Sequence, residues 1–311
     1  MRKFIIKRLL YLLPLLFFVS VFIFLVLRLS GTDAALNYLH VSGIVINDEN
    51  IENARAYLGL DKPILEQYIT WIKKAITFDF GTSYLTKRPI AQDFLLYLPQ
   101  TLKLTGFALL LTIALSLPLG VLSAIYKDRF FDYFVRVFAF LGVSTPNFWF
   151  AILLILFFSV QLKILPPFGA GSINHLIMPA LAISFMSIAI NARLIRANFL
   201  EVKNERFINY AKIRGVSKFK IYMKHIFSNT LLPIVTVIGM HIGELIGGAL
   251  IVENIFAYPG IGRYAVAAIS NNDYPVTQAF ILMMSFIFII LNLIIDIVYA
   301  AIDPRIRSEH A

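Results

Sequence analysis

The sequence contains no cysteine and few charged residues. Of its 311 residues, 15% are Asp, Glu, Lys or Arg, and none is Cys. Without cysteine, the chain forms no disulfide bonds and no thiolate metal sites. It also lacks the G-x-x-x-x-G-K-[S/T] sequence with which many nucleotide hydrolases bind phosphate. These absences exclude a disulfide-stabilised domain, a zinc finger built on thiolates and a P-loop ATPase.

Hydrophobic residues, in contrast, make up 59% of the chain, and its mean hydropathy is +0.78. This apolar fraction exceeds that of ordinary soluble domains, so we expect many of these side chains to face lipid. Six apolar runs are long enough to cross a bilayer as helices. The predicted fold is therefore an all-α integral membrane protein with six transmembrane helices, at Leu9–Leu29, Thr101–Tyr126, Phe134–Leu162, His175–Leu194, Phe227–Val252 and Pro275–Ile302.

The basic residues lie mostly beside these runs and indicate their orientation. The net charge is +10, and Lys and Arg are concentrated before the first run and after the second, fourth and sixth. Because cytoplasmic loops of membrane proteins are enriched in Lys and Arg, both termini are predicted to be cytoplasmic. The predicted organisation is a first helix at 1–29, an extracytoplasmic loop at 30–100, a five-helix core at 101–302 with a cytoplasmic loop at 195–228, and a cytoplasmic tail at 303–311.

The outer loop contains two segments with helical spacing of apolar residues, Asn50–Leu58 and Ile64–Ile76. Gly59 and Pro63 separate them, which is typical of a helix end followed by a helix start. Two interpretations remain open for this loop. It forms a folded cap packed on the membrane helices, or it presents a docking surface for an extracytoplasmic partner.

The cytoplasmic loop is predicted to form a helix, a tight turn and a second helix. Four residues of its first part follow helical spacing and give one mostly apolar face: Phe207, Tyr210, Ala211 and Arg214. Gly215 suits the position after a helix where φ is positive, and Ser217 suits the N-cap of a second, basic helix. Such a unit either lies on anionic headgroups as an interfacial helix or inserts as a rigid knob into a groove of a partner protein.

This segment resembles the loop by which permeases of binding-protein-dependent ABC importers dock onto a separate ATPase. The resemblance rests on YAKIRG at 210–215 and on Leu232-Pro233 downstream, although Asn209-Tyr210-Ala211 stands where Glu-Ala-Ala is general in the family. This departure is similar to the branch that imports dipeptides, oligopeptides and nickel. Other motifs similar to that branch are DFGTS at 79–83, PNFW at 146–149, LPP at 165–167, FAYPGIG at 256–262 and DPRIR at 303–307.

Within the branch, three segments resemble nickel transport permeases most closely. They are FLGVSTPNFW at 140–149, SIAINAR at 187–193 and MHIGELIGG at 240–248. The resemblance therefore implies nickel, free or chelated, as the solute, with a dipeptide or oligopeptide as the alternative.

The resemblance also implies a fold, a location and a set of partners. The fold is that of a type I (MetI-like) ABC importer permease in a bacterial inner membrane. The chain is a non-catalytic subunit that binds no cofactor, and it works with a second permease, an extracytoplasmic solute-binding protein and two ATPase subunits that bind ATP and Mg. The implied ATPase-coupling residues are Tyr210, Ala211, Lys212, Arg214 and Gly215.

Two ionisable residues within the fifth predicted span are candidates for the translocation pathway. His241 and Glu244 are spaced i, i+3 and share one helical face. Ionisable groups at membrane depth are costly and commonly mark pathways, and imidazole and carboxylate are both suitable for transient contact with Ni²⁺. The alternative is structural: Glu244 accepts hydrogen bonds from the second permease, and His241 is its buried neighbour.

A stand-alone secondary transporter is the competing class of function. Many such transporters contain inverted repeats, and no internal repeat is evident in this sequence. A large basic cytoplasmic unit would also have no role in such a protein. The sequence therefore favours a permease subunit that another protein drives.

Overall fold

The computed structural model describes residues 2–29 and 33–302, with side chains except at 2–9, 11, 231–238, 240, 242 and 298–302. Within these residues the regular structure is helical, apart from an isolated antiparallel bridge between Thr82 and Pro89. One π-helical segment, Ile155–Gln161, continues α7, and a second, Ile221–Ile226, joins α10 to α11. The helices are α1 (Arg2–Leu29), α2 (Ala34–Ser42), α3 (Asp48–Leu58), α4 (Ile64–Ile76), α5 (Ile90–Ile125), α6 (Phe130–Ser144), α7 (Asn147–Leu154), α8 (Asn174–Lys203), α9 (Arg206–Ile213), α10 (Lys218–Lys220), α11 (Phe227–Ile255), α12 (Ile261–Ser270) and α13 (Tyr274–Ile302).

Among the described residues, four helices are long and apolar enough to cross a membrane. They are Leu12–Leu29 within α1, the whole of α5, the whole of α8, and Tyr274–Ile297 within α13. These helices confirm the first, second, fourth and sixth predicted runs as helical. The helix α11 covers the fifth run, and several side chains of its first half lie outside the described residues.

The third predicted span is wrong as a single helix. α6 and the helix from Asn147 to Gln161 meet at an angle of 111°, and together they count as a broken span or a re-entrant segment. The break lies at Thr145, which is extended (φ −96°, ψ 121°), and Pro146 is the N-cap of the next helix. A residue before proline is disfavoured in the α region, because the proline ring crowds its backbone. The third apolar run therefore contains a helix end at the residue before Pro146.

The chain forms two compact units, each described here by itself. The first contains Met1–Gln100 and Pro259–Ile294, and the second contains Thr101–Tyr258 and the chain from Ile295 onward. The four-part division based on charge and hydropathy stays a prediction. Its cytoplasmic tail, at 303–311, lies outside the described residues.

In the first unit, the segment between α1 and α5 folds into short helices. α3 and α4 confirm the two segments predicted at 50–58 and 64–76. Gly59 ends α3 in the left-handed region (φ +64°), where a residue without a Cβ is favoured. Ala35, Leu39 and Ala54 form a small core between α2 and α3. The segment is thus folded, and both the cap and the docking interpretations stay predictions.

In the second unit, α8 is central and packs against α6, α7 and α11. Phe150 of α7 stacks on Phe185 of α8 with ring centroids 3.9 Å apart. Gly120 of α5 approaches α8 so closely that a Cβ there would lie 2.6 Å from the Cβ of Ile195 and 2.7 Å from the carbonyl oxygen of Ala192. Glycine is therefore required where α5 and α8 meet.

Candidate functional site

The helix–turn–helix predicted within the loop at 195–228 is present. α9 ends at Ile213, and Gly215 follows in the left-handed region at φ +74°. The Gly215 amide donates to the carbonyl oxygen of Lys212 at 3.0 Å, and the Val216 amide donates to that of Ala211 at 3.1 Å. These bonds satisfy carbonyls at the end of α9. The Ser217 hydroxyl then accepts from the Lys220 amide at 3.4 Å and caps the second helix, as the sequence predicts.

The second helix is not separate from the membrane core, because α10 continues through the π-helical segment directly into α11. Ile208 holds α9 against these helices. Its side chain is fully buried in a cluster with Ala124, Phe199 and Ile226. Ala211 packs against the same cluster and is half-buried. The cluster joins α9 to the ends of α5 and α8 and to the start of α11. α9 therefore packs against parts of three long helices.

The opposite side of α9 carries exposed apolar residues. Tyr210 is 67% exposed and Ile213 is 83% exposed, and Phe219 on α10 is 76% exposed. We call these three residues the docking face. Lys212, Arg214 and Gly215 are also exposed. Of the five predicted coupling residues, four thus lie at the surface, and only Ala211 faces partly inward.

A buried ion pair joins α6 to α8 and is bonded to the end of α5. Asp132 in the first turn of α6 is fully buried, and Arg196 of α8 donates to both of its oxygens, at 2.6 Å from Nε and 2.8 Å from Nη2. The Ser123 hydroxyl and the Asp128 amide donate to the same carboxylate, at 2.6 Å and 2.9 Å. The fully bonded carboxylate fixes the end of α5, the start of α6 and the C-terminal half of α8 to one another.

The structure brings the two predicted pathway residues together on α11. Nδ1 of His241 lies 2.5 Å from Oε2 of Glu244, so the two side chains are hydrogen-bonded to each other. The His241 side chain is 9% exposed and that of Glu244 is 41% exposed. The second ring nitrogen of His241 is buried without a hydrogen-bond partner. His241 therefore retains one polar atom that a solute, a water molecule or a partner chain can satisfy.

These two residues do not form a larger ligand set. Among the described residues, no group of three or more His, Cys, Asp or Glu side chains is arranged to hold a metal ion. One imidazole nitrogen and one carboxylate, already bonded to each other, leave most of a metal coordination shell unfilled. The geometry fits a transient polar contact better than a resident metal site.

In the first unit, two buried aspartates accept hydrogen bonds from distant parts of the chain, and one of them bonds the DFGTS motif. Ser83 donates to Asp273 at 2.6 Å, and the Leu85 amide donates to the same oxygen at 3.2 Å. Tyr264 of α12 donates to Asp93 at 2.9 Å. Burial and this bond to Asp93 raise the pKa of the Tyr264 phenol, which therefore stays protonated and able to donate. Ser83 of the motif is thus anchored to Asp273.

Sequence reasoning missed the roles of these buried acids. Asp132 stands alone among aromatic residues at 130–134, and a lone acid beside an apolar run is a signal that it has a partner. The partner itself could not be found from the sequence. Arg196 lies 64 positions away and was interpreted only as a marker of the cytoplasmic side.

Two sequence families match the chain. A family described as "Binding-protein-dependent transport system inner membrane component" matches residues 116–308. A second, described as "Binding-prot-dependent transport system membrane comp, N-term", matches residues 1–105. Together they cover nearly the whole chain, including the cap, the docking face and α11.

Curated relatives match over the full length. The glutathione transport system permease proteins GsiC of Escherichia coli strain K12 and of Shigella dysenteriae serotype 1 are each 39% identical over 310 residues. The alignments cover 99% of this chain and 100% of each relative. The same protein of Shigella flexneri serotype 5b is 38% identical over the same length.

A solved structure shares the fold. One chain of the inward-facing MetNI methionine ABC transporter superimposes with a TM-score of 0.55 at 17% identity, covering 68% of this chain and 97% of that one. A second crystal form gives a TM-score of 0.54. The predicted fold class, an all-helical integral membrane protein with a MetI-like permease fold, is thereby confirmed.

Proposed function

Because this chain belongs to the family of binding-protein-dependent transport system inner membrane components, we propose that it is the permease subunit of an ATP-driven importer for short peptides of the glutathione class. It works with a second permease, two ATPase subunits and an extracytoplasmic solute-binding protein. ATP and Mg are bound by the ATPase subunits, and this chain binds no cofactor. Its termini lie in the cytoplasm.

The substrate class follows from the relatives. The nickel expected from short motifs is less well supported than the peptide alternative, since glutathione permeases are 39% identical along the whole chain. A peptide also offers amide and carboxylate groups that one imidazole nitrogen can contact singly.

The docking face is the single observation that carries the proposed role. Tyr210 and Ile213 project apolar surface from a helix that is locked from behind by Ile208. Exposed apolar side chains on a rigidly anchored short helix are typical of insertion into a groove of a partner. The neighbouring Lys212 and Arg214 add positive charge at the rim.

This anchoring defines a coupling mechanism. ATP binding brings the two ATPase subunits together, and the grooves that hold α9 move with them. Because α9 shares a buried cluster with the ends of α5, α8 and α11, it moves these helices as one body. The permease pair then switches between inward-facing and outward-facing states, and ATP drives uptake by favouring one of them.

His241 and Glu244 are proposed to contact the solute within the pathway. The mutual hydrogen bond orients the imidazole, so that its unpartnered nitrogen has a fixed direction. A transported solute must leave as well as enter, and single weak contacts satisfy this requirement.

An uptake experiment tests the substrate and the role together. The complete transporter is expressed in cells without their own glutathione, peptide and nickel importers, and uptake of radiolabelled glutathione and of ⁶³Ni²⁺ is compared. We expect ATP-dependent glutathione uptake that short peptides compete with and Ni²⁺ does not. Nickel uptake without glutathione uptake would contradict the proposed substrate class, and ATP-independent uptake of either solute would contradict the importer role.

A further inference from the structure

The amphipathic helix α4 lies beside the membrane span of α1. The hydroxyls of Tyr68 and Ser20 are 2.9 Å apart, and the rings of Tyr68 and Trp71 contact Phe24 at centroid distances of 5.4 Å and 6.0 Å. Ser20 precedes the end of α1 at Leu29 by nine residues, which is about 14 Å along a helix. α4 therefore reaches a level of α1 that we expect to lie within hydrocarbon.

The outward side of α4 has the composition of an interfacial helix. Ile64, Leu65 and Ile69 are 55%, 69% and 40% exposed. Lys73 and Lys74 lie in its last turn and are exposed. Apolar side chains with adjacent lysines allow a helix to lie in the boundary region of a bilayer, with the ammonium groups reaching the phosphates.

Behind α4 lies an apolar pocket of about 500 Å³ between α1, α4 and α13. Its lining includes Leu13, Phe17, Ile72, Met283 and Phe286. The two hydroxylated residues of the lining are Ser20 and Tyr68, and they are bonded to each other. The pocket volume lies within the range of roughly 300–1,000 Å³ that is typical of ligand sites. The lining therefore suits an occupant that is apolar.

We propose that this pocket holds an acyl chain of an anionic phospholipid whose phosphate is bound by Lys73 and Lys74. Both flanking spans are largely uncovered by the rest of this chain, since only 17% of the Leu12–Leu29 window and 17% of the α13 window are buried. The lysines follow Ile72 of the lining directly in sequence. The positive charge of the two lysines favours an anionic headgroup, and the apolar lining favours an acyl chain. An anionic membrane lipid supplies both.

Photolabelling of the complete transporter in lipid nanodiscs tests the acyl-chain contact. The probe is phosphatidylglycerol with a diazirine on one acyl chain, and the labelled positions are read by peptide mass spectrometry. We expect label on the lining residues of α1, α4 and α13. Met283→Trp fills the pocket and abolishes this label, whereas Met284→Trp, on the next residue of α13 and outside the lining, leaves it unchanged. Leu282→Trp repeats the test with a second lining residue.

The headgroup contact is tested with the lysines. Lys73→Gln and Lys74→Gln should each lower labelling by phosphatidylglycerol, relative to a phosphatidylcholine probe, about fivefold, the equivalent of ~1 kcal/mol for a basic residue near anionic lipid. Lys62→Gln is the matched control on the same segment, because its ammonium pairs with Glu66 at 2.7 Å. Equal labelling of the Met283→Trp and Met284→Trp proteins would overturn the site. Cross-linking of the lining to the second permease, in place of lipid, would also overturn it.

Discussion

Asp132 shows how this chain tolerates charge in an apolar setting. Its carboxylate is fully buried, but Arg196, Ser123 and the Asp128 amide supply four donated hydrogen bonds. A buried charge that is paired and bonded is tolerated, whereas the same charge left alone is not. The pair therefore fixes α5, α6 and α8 to one another. Removing either charge leaves the other without its counter-ion.

Replacing Asp132 with Asn should destabilise the permease strongly. The substitution leaves the Arg196 guanidinium without its counter-ion, and breaking a buried pair costs ~3 kcal/mol or more. The midpoint of thermal unfolding in detergent, followed by tryptophan fluorescence, should fall. Asp128→Asn is the control, since Asp128 is exposed and lies 3.9 Å from an equally exposed Lys127. Equal midpoints for the two variants would contradict the structural role of Asp132.

His241→Gln should lower solute uptake while the ATPase subunits still co-purify. If the unpartnered nitrogen of His241 contacts the solute, its loss should reduce uptake at low solute concentration by about tenfold, the equivalent of ~1.4 kcal/mol. His225→Gln is a matched control in the π-helical segment outside the proposed pathway. Lower thermal stability with unchanged uptake would support the structural alternative instead.

Side-chain types on a helical face could be predicted from the sequence, but long-range partners could not. The proximity of His241 and Glu244 follows from their i, i+3 spacing alone. The bonds from Ser83 to Asp273 and from Arg196 to Asp132 join residues that no local pattern relates. Such contacts depend on how whole helices pack. A single sequence does not show which residues of two packed helices lie opposite each other.

Among the elements, those set by local chemistry were predicted well. α4 has the predicted bounds, and the turn at Gly215 has the predicted positive φ. Pro146 predicts a kink or a helix end within the third run, and the bend at Thr145 confirms it, whereas the single-span bounds were wrong because hydropathy measures apolarity and not backbone direction. A proline within an apolar run, as at position 146, is the sequence signal of such a bend.

The turn between α9 and α10 should tolerate Asn at position 215 and not Pro. Gly215 has φ +74°, and its amide donates to Lys212, so proline fits neither the angle nor the hydrogen bond. Asn enters the left-handed region at a cost of about 1 kcal/mol, and a Cβ there meets open space. Stimulation of ATPase activity by the loaded binding protein should be lost in Gly215→Pro and retained in Gly215→Asn. The reverse order would contradict the geometry of the turn.

The approach of α5 to α8 should be equally sensitive to one methyl group. Gly120→Ala places a Cβ against the backbone of Ala192, which cannot move independently of α8. Overpacking of this kind costs about 1–3 kcal/mol, so the unfolding midpoint should fall. Gly247→Ala in α11 adds its Cβ to open space and should leave the midpoint unchanged or raise it. An equal fall of the midpoint in both variants would contradict the clash at Gly120 as the cause of the destabilisation.

For the whole molecule, composition alone indicated an integral membrane protein, and the family matches confirm it. The substrate was less accessible from the sequence. The motifs at 140–149, 187–193 and 240–248 resemble nickel permeases, but glutathione permeases are 39% identical over 99% of the chain. Short motifs that shape the helices are shared across a branch, and they do not identify the solute.

Site-specific cross-linking tests the central claim that α9 is moved by a partner ATPase. The absence of cysteine allows Arg214→Cys to carry the only thiol of this chain. In intact cells, a short thiol-to-amine cross-linker should join this position to an ATPase subunit, and Tyr210→Ala with Ile213→Ala should reduce the yield. Tyr57→Cys, on the exposed surface of the cap, is the control and should give no such product. Failure of Arg214→Cys to capture an ATPase, with the transporter assembled and active, would contradict the account.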